Sequence, residues 1–132
     1  MYQRMIEIGR VVYVRLGEHA GKICVVLDLV DQKHLLVDGP TSGVPRCVIR
    51  LNQVALTDFK IAVPRSSRSK TVRVELEKED IMTKFMKTQL YIKAEAKIAR
   101  RGLSDFDRFK TNVAKISRNR SLRSTVKKLK KA

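Results

Sequence analysis

The positive charge of this chain lies almost wholly beyond Phe59, which constrains what the second half can fold into. Residues 1–59 carry seven Lys and Arg against six Asp and Glu. Residues 60–132 carry 22 against seven, a net +15, and no acid occurs from Arg108 to Ala132. A charge of this size destabilises a compact monomer by self-repulsion and calls for a polyanionic partner to neutralise it. Nucleic acid is the most abundant such partner, bound largely through counterion release by Lys and Arg. The competing reading is a basic surface that is merely solvated.

The 132 residues suffice for one domain, or for a small domain with an extension. A neutral half of about 60 residues is near the lower limit for folding alone. Cys24 and Cys47 have neither metal-like nor redox-like spacing, so two inert thiols in a reducing compartment are expected. No apolar run approaches the roughly 18 residues of a membrane span. Met1-Tyr2-Gln3-Arg4 leads into strand-like sequence rather than a signal-peptide apolar region. The expectation is a soluble, intracellular protein.

Residues 8–63 follow strand logic. Ile8–Leu16, Lys22–Val30, His34–Val37, Arg46–Leu51 and Val54–Val63 are apolar runs rich in Val and Ile. Gly17, Asp38-Gly39-Pro40, Gly43-Val44-Pro45 and Pro64 punctuate them. Five short strands at this spacing predict a small all-β barrel of SH3-like size. Unbroken apolar sequence at Cys24–Leu27 predicts burial on both faces.

Gly17-Glu18-His19-Ala20-Gly21-Lys22-Ile23 superficially suggests a phosphate-binding loop. It has one residue too few between its glycines, and Ile23 stands where Ser or Thr would bind magnesium. Read instead as strand, Gly-rich turn, Gly-Lys and apolar strand, it matches the KOW motif, closed by Asp38-Gly39. The resemblance then widens. Val12–Gly39, the run Gly39-Pro40-Thr41-Ser42-Gly43-Val44-Pro45-Arg46, and Ser104-Asp105-Phe106-Asp107-Arg108-Phe109 resemble, in this order, the eukaryotic and archaeal family of large-subunit ribosomal protein fourteen.

The basic half reads as helical. Residues 64–70 form a linker in which Arg65, Arg68 and Lys70 can follow a phosphate backbone, although a plain hinge has the same composition. Val72–Leu76 alternates and reads also as a strand. Glu75, Glu77, Glu79 and Asp80 suit the positive end of a helix, so the sequence predicts a helix over about 72–101. Its stripe would be Ile81, Phe85, Ile92, Ala96 and Ala99. Ser104 is a suitable N-cap for a second helix over about 104–131. Phe106, Phe109, Val113 and Ile116 share one face there, expected to pack on the preceding helix or the barrel. Leu122, Val126 and Leu129 lie roughly opposite. One straight helix on one flat surface cannot satisfy both stripes. Either it breaks near Asn119, or its end leaves its own domain to lie among other molecules.

Catalytic and ligand-binding signatures are lacking. His19 and His34 have no second His or carboxylate at ligand spacing, and no nucleophile elbow is present. Asp105 and Asp107 suit the helix dipole rather than catalysis. The Asn119-Arg120-Ser121 sequon in a basic helix is a chance match. Low aromatic content argues for phosphate and shape recognition rather than base stacking. No aromatic after Phe109 would seat a helix in a membrane interface.

The expected fold is therefore a mainly β N-terminal SH3-like barrel of KOW type (residues 1–63), a basic linker (64–70) and an α-helical basic C-terminal extension (71–132). RNA-binding cations are expected at Arg65, Arg68, Lys70, Arg100, Arg101, Lys115, Arg118, Arg120, Arg123, Lys127, Lys128, Lys130 and Lys131. No enzyme activity, cofactor, metal, membrane or small-molecule substrate is expected. The resemblance implies a structural constituent of the large ribosomal subunit. Its partners would be large-subunit ribosomal RNA and neighbouring ribosomal proteins, in the cytoplasm after a nucleolar assembly stage in a eukaryote. A KOW-type transcription or RNA-remodelling factor is the alternative. An SH3-like adaptor for proline-rich peptides would need an aromatic groove, which Tyr2, Tyr13 and Phe59 without Trp do not supply.

Overall fold

The computed structural model describes residues 4–130. Five strands form one antiparallel sheet: β1 (Arg10–Val14), β2 (Ile23–Leu29), β3 (His34–Gly39), β4 (Val44–Arg50) and β5 (Val54–Lys60). Their order is β4-β3-β2-β1-β5. All five expected strands are present. The fourth starts earlier than expected because Val44-Pro45 joins the strand instead of turning, and proline is tolerated in β4 because it is an edge strand. Among the described residues no pairing joins β4 to β5, so the sheet is open rather than a closed barrel. Register shifts at Arg10/Val12, Val26/Asp28 and Val37/Gly39 disrupt three of its four ladders. Such bulges bend and twist a strand.

Both faces of this sheet are apolar, as the unbroken run at Cys24–Leu27 implied. Val12, Val14, Cys24, Val26, Leu35, Val37, Val44, Ile49 and Val54 form one buried cluster. The alternate residues Val11, Tyr13, Ile23 and Val25 point the other way and are buried too. They are covered by two helices from the basic half, α1 (Ser69–Lys78) and α2 (Ile81–Met86), which bury Val72, Leu76, Ile81 and Phe85. Phe85 meets Tyr13 at a ring-centroid distance of 5.5 Å. The expected boundary after Val63 therefore moves. The first compact unit runs to Tyr91, and the second is Ile92–Ala132.

Two glycines are required by space. Gly9 has φ +81°, and a Cβ there would meet the Ile61 carbonyl oxygen at 2.1 Å. Gly39 sits so close to the Ile23 carbonyl and the Val44 Cβ that a Cβ would lie 2.8 and 2.9 Å from them.

The predicted linker is not a loose hinge. Arg65 Nε binds Asp28 at 2.7 Å, Ser66 N donates to the Leu27 carbonyl at 3.2 Å, and Ser67 is buried. Behind it lies a buried carboxylate. Asp38, 2% exposed, accepts a hydrogen bond from Ser69 Oγ at the start of α1 and lies 3.5 Å from Arg46 Nε. Arg46 also donates to the Ser67 carbonyl. A carboxylate so enclosed is tolerated because it is paired and hydrogen-bonded.

The single helix expected over 72–101 is three. It is interrupted at Asp80, left-handed at φ 48°, and again at Thr88, which hydrogen-bonds back to the Phe85 carbonyl at 2.6 Å. Thr88 Oγ1 then accepts from Tyr91 N as α3 (Gln89–Arg101) begins. The acids stand at the opposite end from the one expected. Glu75 and Glu77 lie in the C-terminal half of α1, where the dipole disfavours them, and Lys70 lies in its first turn. Burial of Val72 and Leu76 outweighs these small electrostatic terms, as tertiary packing commonly does. The stripe divides accordingly: Ile81 and Phe85 are buried, whereas Ile92 is 48% exposed. The last helix, α4 (Asp105–Leu129), is continuous through Asn119, and Ser104 caps it by accepting from Asp107 N at 3.2 Å.

His34 is not isolated, because the Asp31–His34 turn brings its Nδ1 within 2.7 Å of Asp31 Oδ2. Burial pushes the Cys24 thiol up to about 12, with Cys47 and Asp38 adding to the shift. It therefore stays protonated and inert in the folded protein.

Two outcomes test this fold. Phe85→Ala should destabilise the first unit by about 3–5 kcal/mol. Phe106→Ala, at an exposed position, should change stability by no more than about 0.5 kcal/mol in the same urea titration. Second, the hydrogen bond from Arg65, aided by the Leu29 amide, holds the Asp28 carboxyl below its usual range. Its contribution is present above the unfolded carboxylate value near 4 and lost as pH falls through the lower folded value. Acid titration should move the Ser66 amide resonance in that window, and Asp28→Asn should abolish the step.

Candidate nucleic-acid interface

The predicted cations fall into three groups. In the first unit, Arg68 and Lys70 are exposed at the start of α1, whereas Arg65 is already engaged with Asp28. Arg73, not among the expected residues, joins Lys70 one turn further on and reaches the Pro40 carbonyl at 3.4 Å. Its i, i+3 spacing from Lys70 is the signal in the sequence that marks it.

In the second unit, Arg100, Lys115 and Arg118 line one groove together with Leu103 and Thr111. Arg100 and Arg101 occupy the last turn of α3, where the helix dipole favours cations. Arg108, also absent from the expected set, lies almost two turns before Lys115 on the same side of α4, a helical repeat that would have marked it.

The third group is the C-terminal half of α4. Arg120, Arg123, Lys127, Lys128 and Lys130 are all exposed. Lys131 lies outside the described residues. Asp107 is the last acid in the sequence and pairs with Lys110 at 3.5 Å.

Because α4 is one helix, its two apolar stripes are fixed roughly opposite each other. Phe109, Val113 and Ile116 continue into Arg120, Arg123 and Lys127 along one side. Arg108 and Lys115 continue into Leu122, Val126 and Leu129 along the other. Each side is thus apolar in one half and basic in the other. The first stripe, expected to be buried, is exposed. Phe106 is 65% and Phe109 62% exposed, with Lys110 Nζ 4.2 Å above the Phe106 ring.

Such a helix can contact phosphates and apolar surface at once. Among the described residues no group of three metal-ligating side chains converges, and no helix is long and apolar enough to cross a membrane.

Residues 45–119, from β4 into α4, match the family described as Ribosomal protein L14. Over 131 residues the chain is 40% identical to large ribosomal subunit protein eL14 of Schizosaccharomyces pombe, covering 99% of this chain and 98% of that one. The chain belongs to this family. The eL14 proteins of Pisum sativum and Drosophila melanogaster are 38% and 35% identical, each over 98% of this chain and over 96% and 78% of their own lengths. Membership agrees with the order of motifs read from the sequence, and nothing among these relatives supports a transcription or RNA-remodelling factor.

Full-length protein titrated with a structured RNA should show log K falling against log salt with a slope of about −4 to −5, if on the order of six phosphates are engaged. The triple variant Arg118→Ala, Arg120→Ala, Arg123→Ala should flatten that slope by about one unit for each phosphate it no longer engages. Circular dichroism should show the fold unchanged.

Proposed function

We infer that this protein is a structural, non-catalytic constituent of the large ribosomal subunit, working in the cytoplasm, with a nucleolar assembly stage in a eukaryote. Its partners are large-subunit ribosomal RNA and neighbouring ribosomal proteins. The observation that carries the reading is nearly full-length similarity to eL14 proteins, joined to a 25-residue basic helix whose cations are exposed.

The first unit is a platform of SH3-like, KOW type. The meander order β4-β3-β2-β1-β5 and the Gly21-Lys22 turn between β1 and β2 support this assignment. The linker and helical cations are the RNA contacts: Arg68, Lys70, Arg100, Arg101, Lys115, Arg118, Arg120, Arg123, Lys127, Lys128, Lys130 and Lys131. Arg65 joins them when RNA displaces it from Asp28. The mechanism is positioning. Phosphate contacts set register and orientation without reading sequence, and the exchanged faces of α4 let it lie between an RNA surface and an apolar protein surface. Phe106 and Phe109 then bury their rings against a neighbouring protein.

A tagged copy should co-sediment with large subunits through moderate salt. The triple Arg variant should be outcompeted by wild type in the same cells, while the melting of its first unit is unchanged. Equal incorporation of both at elevated salt would remove the anchoring role from α4.

A further inference from the structure

The first unit contains a pocket that phosphate recognition does not use. It lies beneath the β1–β2 and β3–β4 loops, beside α2, with a volume of about 330 Å³. Phe85, Tyr91, Met82 and Met86 form its apolar walls, with Lys22 and Thr41 on the loop side. We propose that this pocket receives a single unstacked base of a ribonucleotide, with Tyr91 as the stacking surface, the Thr41 hydroxyl bonded to the base edge, and Lys22 beside the phosphate.

Three observations favour this occupant. First, the aromatic surface is held in place. Tyr91 meets Phe85 edge to face at 5.5 Å, and Phe85 in turn packs on Tyr13 of β1 at the same separation. A ring fixed in this way stacks a base without first losing side-chain freedom. Second, Thr41 Oγ1 is buried and has no hydrogen-bond partner among the described residues. A buried hydroxyl left unpaired is costly, and a polar ligand edge would satisfy it where an aliphatic side chain could not. Third, Lys22 Nζ is tied to the pocket rim by donating to the Gly43 carbonyl at 3.2 Å, which places a cation where a nucleotide phosphate would follow its base. A base offers a π-face, a polar edge and an adjacent anion together, and single-stranded RNA is commonly recognised through such splayed bases.

That the base belongs to RNA rests on the proposed function; the pocket's affinity for a nucleotide does not. The test uses full-length protein with ¹³C-methyl-labelled methionine, titrated separately with AMP, GMP, CMP and UMP. At least one nucleotide should shift the Met82 and Met86 methyl signals saturably while leaving exposed Met5 unmoved. Tyr91→Leu should weaken that binding roughly 5- to 150-fold through lost stacking. Thr41→Val should weaken it roughly 2- to 10-fold, with thermal melting no lower than wild type. No shift with any of the four nucleotides overturns the proposal. So does an equal shift with inorganic phosphate, meaning an anion held by Lys22 alone, or a shift with leucinamide but no nucleotide, meaning a socket for a protein side chain. The salt slope for structured RNA, measured beside it, separates the two claims. Tyr91→Leu should leave the slope unchanged, and loss of RNA binding by wild type would sink the α4 reading while the methyl titration still decides the pocket.

Discussion

A five-stranded sheet with two apolar faces cannot be completed by its own strands. One face gathers Val12, Val26, Leu35 and their neighbours, but Val11, Tyr13, Ile23 and Val25 would stay wet. Exposing that second face would forfeit about 25 cal/mol for each Å² of apolar area left in water. The chain covers it with α1 and α2, taken from the half that charge alone would assign to a partner. The buried Asp38 carboxylate secures the start of that cover, joining β3 to Ser69 and placing Arg46 where it also holds Ser67. The pinned linker, the break at Asp80 and the Tyr13–Phe85–Tyr91 aromatic row all follow from bringing these two short helices back onto the sheet.

Past Tyr91 the physics changes. The remaining chain has narrow apolar stripes, dense positive charge and no buried residue in α4. Helical propensity and a good N-cap at Ser104 define its local structure, yet its cations far outnumber its two acids, Asp105 and Asp107. Membership in a ribosomal protein family supplies a setting where that charge is an asset, since a polyanion removes the repulsion and an adjoining protein can cover the apolar stripe.

Much of the fold is legible in the residues. Alternating Val and Ile between Gly and Pro punctuation locates all five strands, and Ser104 locates the last helix. The departures have local causes. The acids at Glu75–Asp80 read as a helix start, but they close α1, because a dipole effect of about 0.3–1 kcal/mol yields to buried Val72 and Leu76. The break at Asp80 is a single left-handed residue, which an Asp permits but does not dictate. Thr88 is a readable cap, hidden inside an apparently continuous stripe. For the interface, the run of cations after Asp107 is plain from composition. Which cations share a surface is not, because Arg100 meets the Lys115–Arg118 side only through the turn at Gly102-Leu103. The pairing of Arg65 with Asp28 spans 37 residues and leaves no trace in local sequence.

The central claim is that two helices of the basic half belong to the folded core, whereas α4 depends on partners. Amide hydrogen exchange on the free full-length protein, repeated on assembled large subunits, measures this directly. The account predicts slow exchange in the free protein across β1–β5 and at Val72, Leu76 and Phe85, fast exchange from Val113 to Leu129, and strong slowing of that last segment in the particle. Equal, strong protection of Val113–Leu129 in the free protein, or fast exchange at Val72 and Leu76, would contradict it.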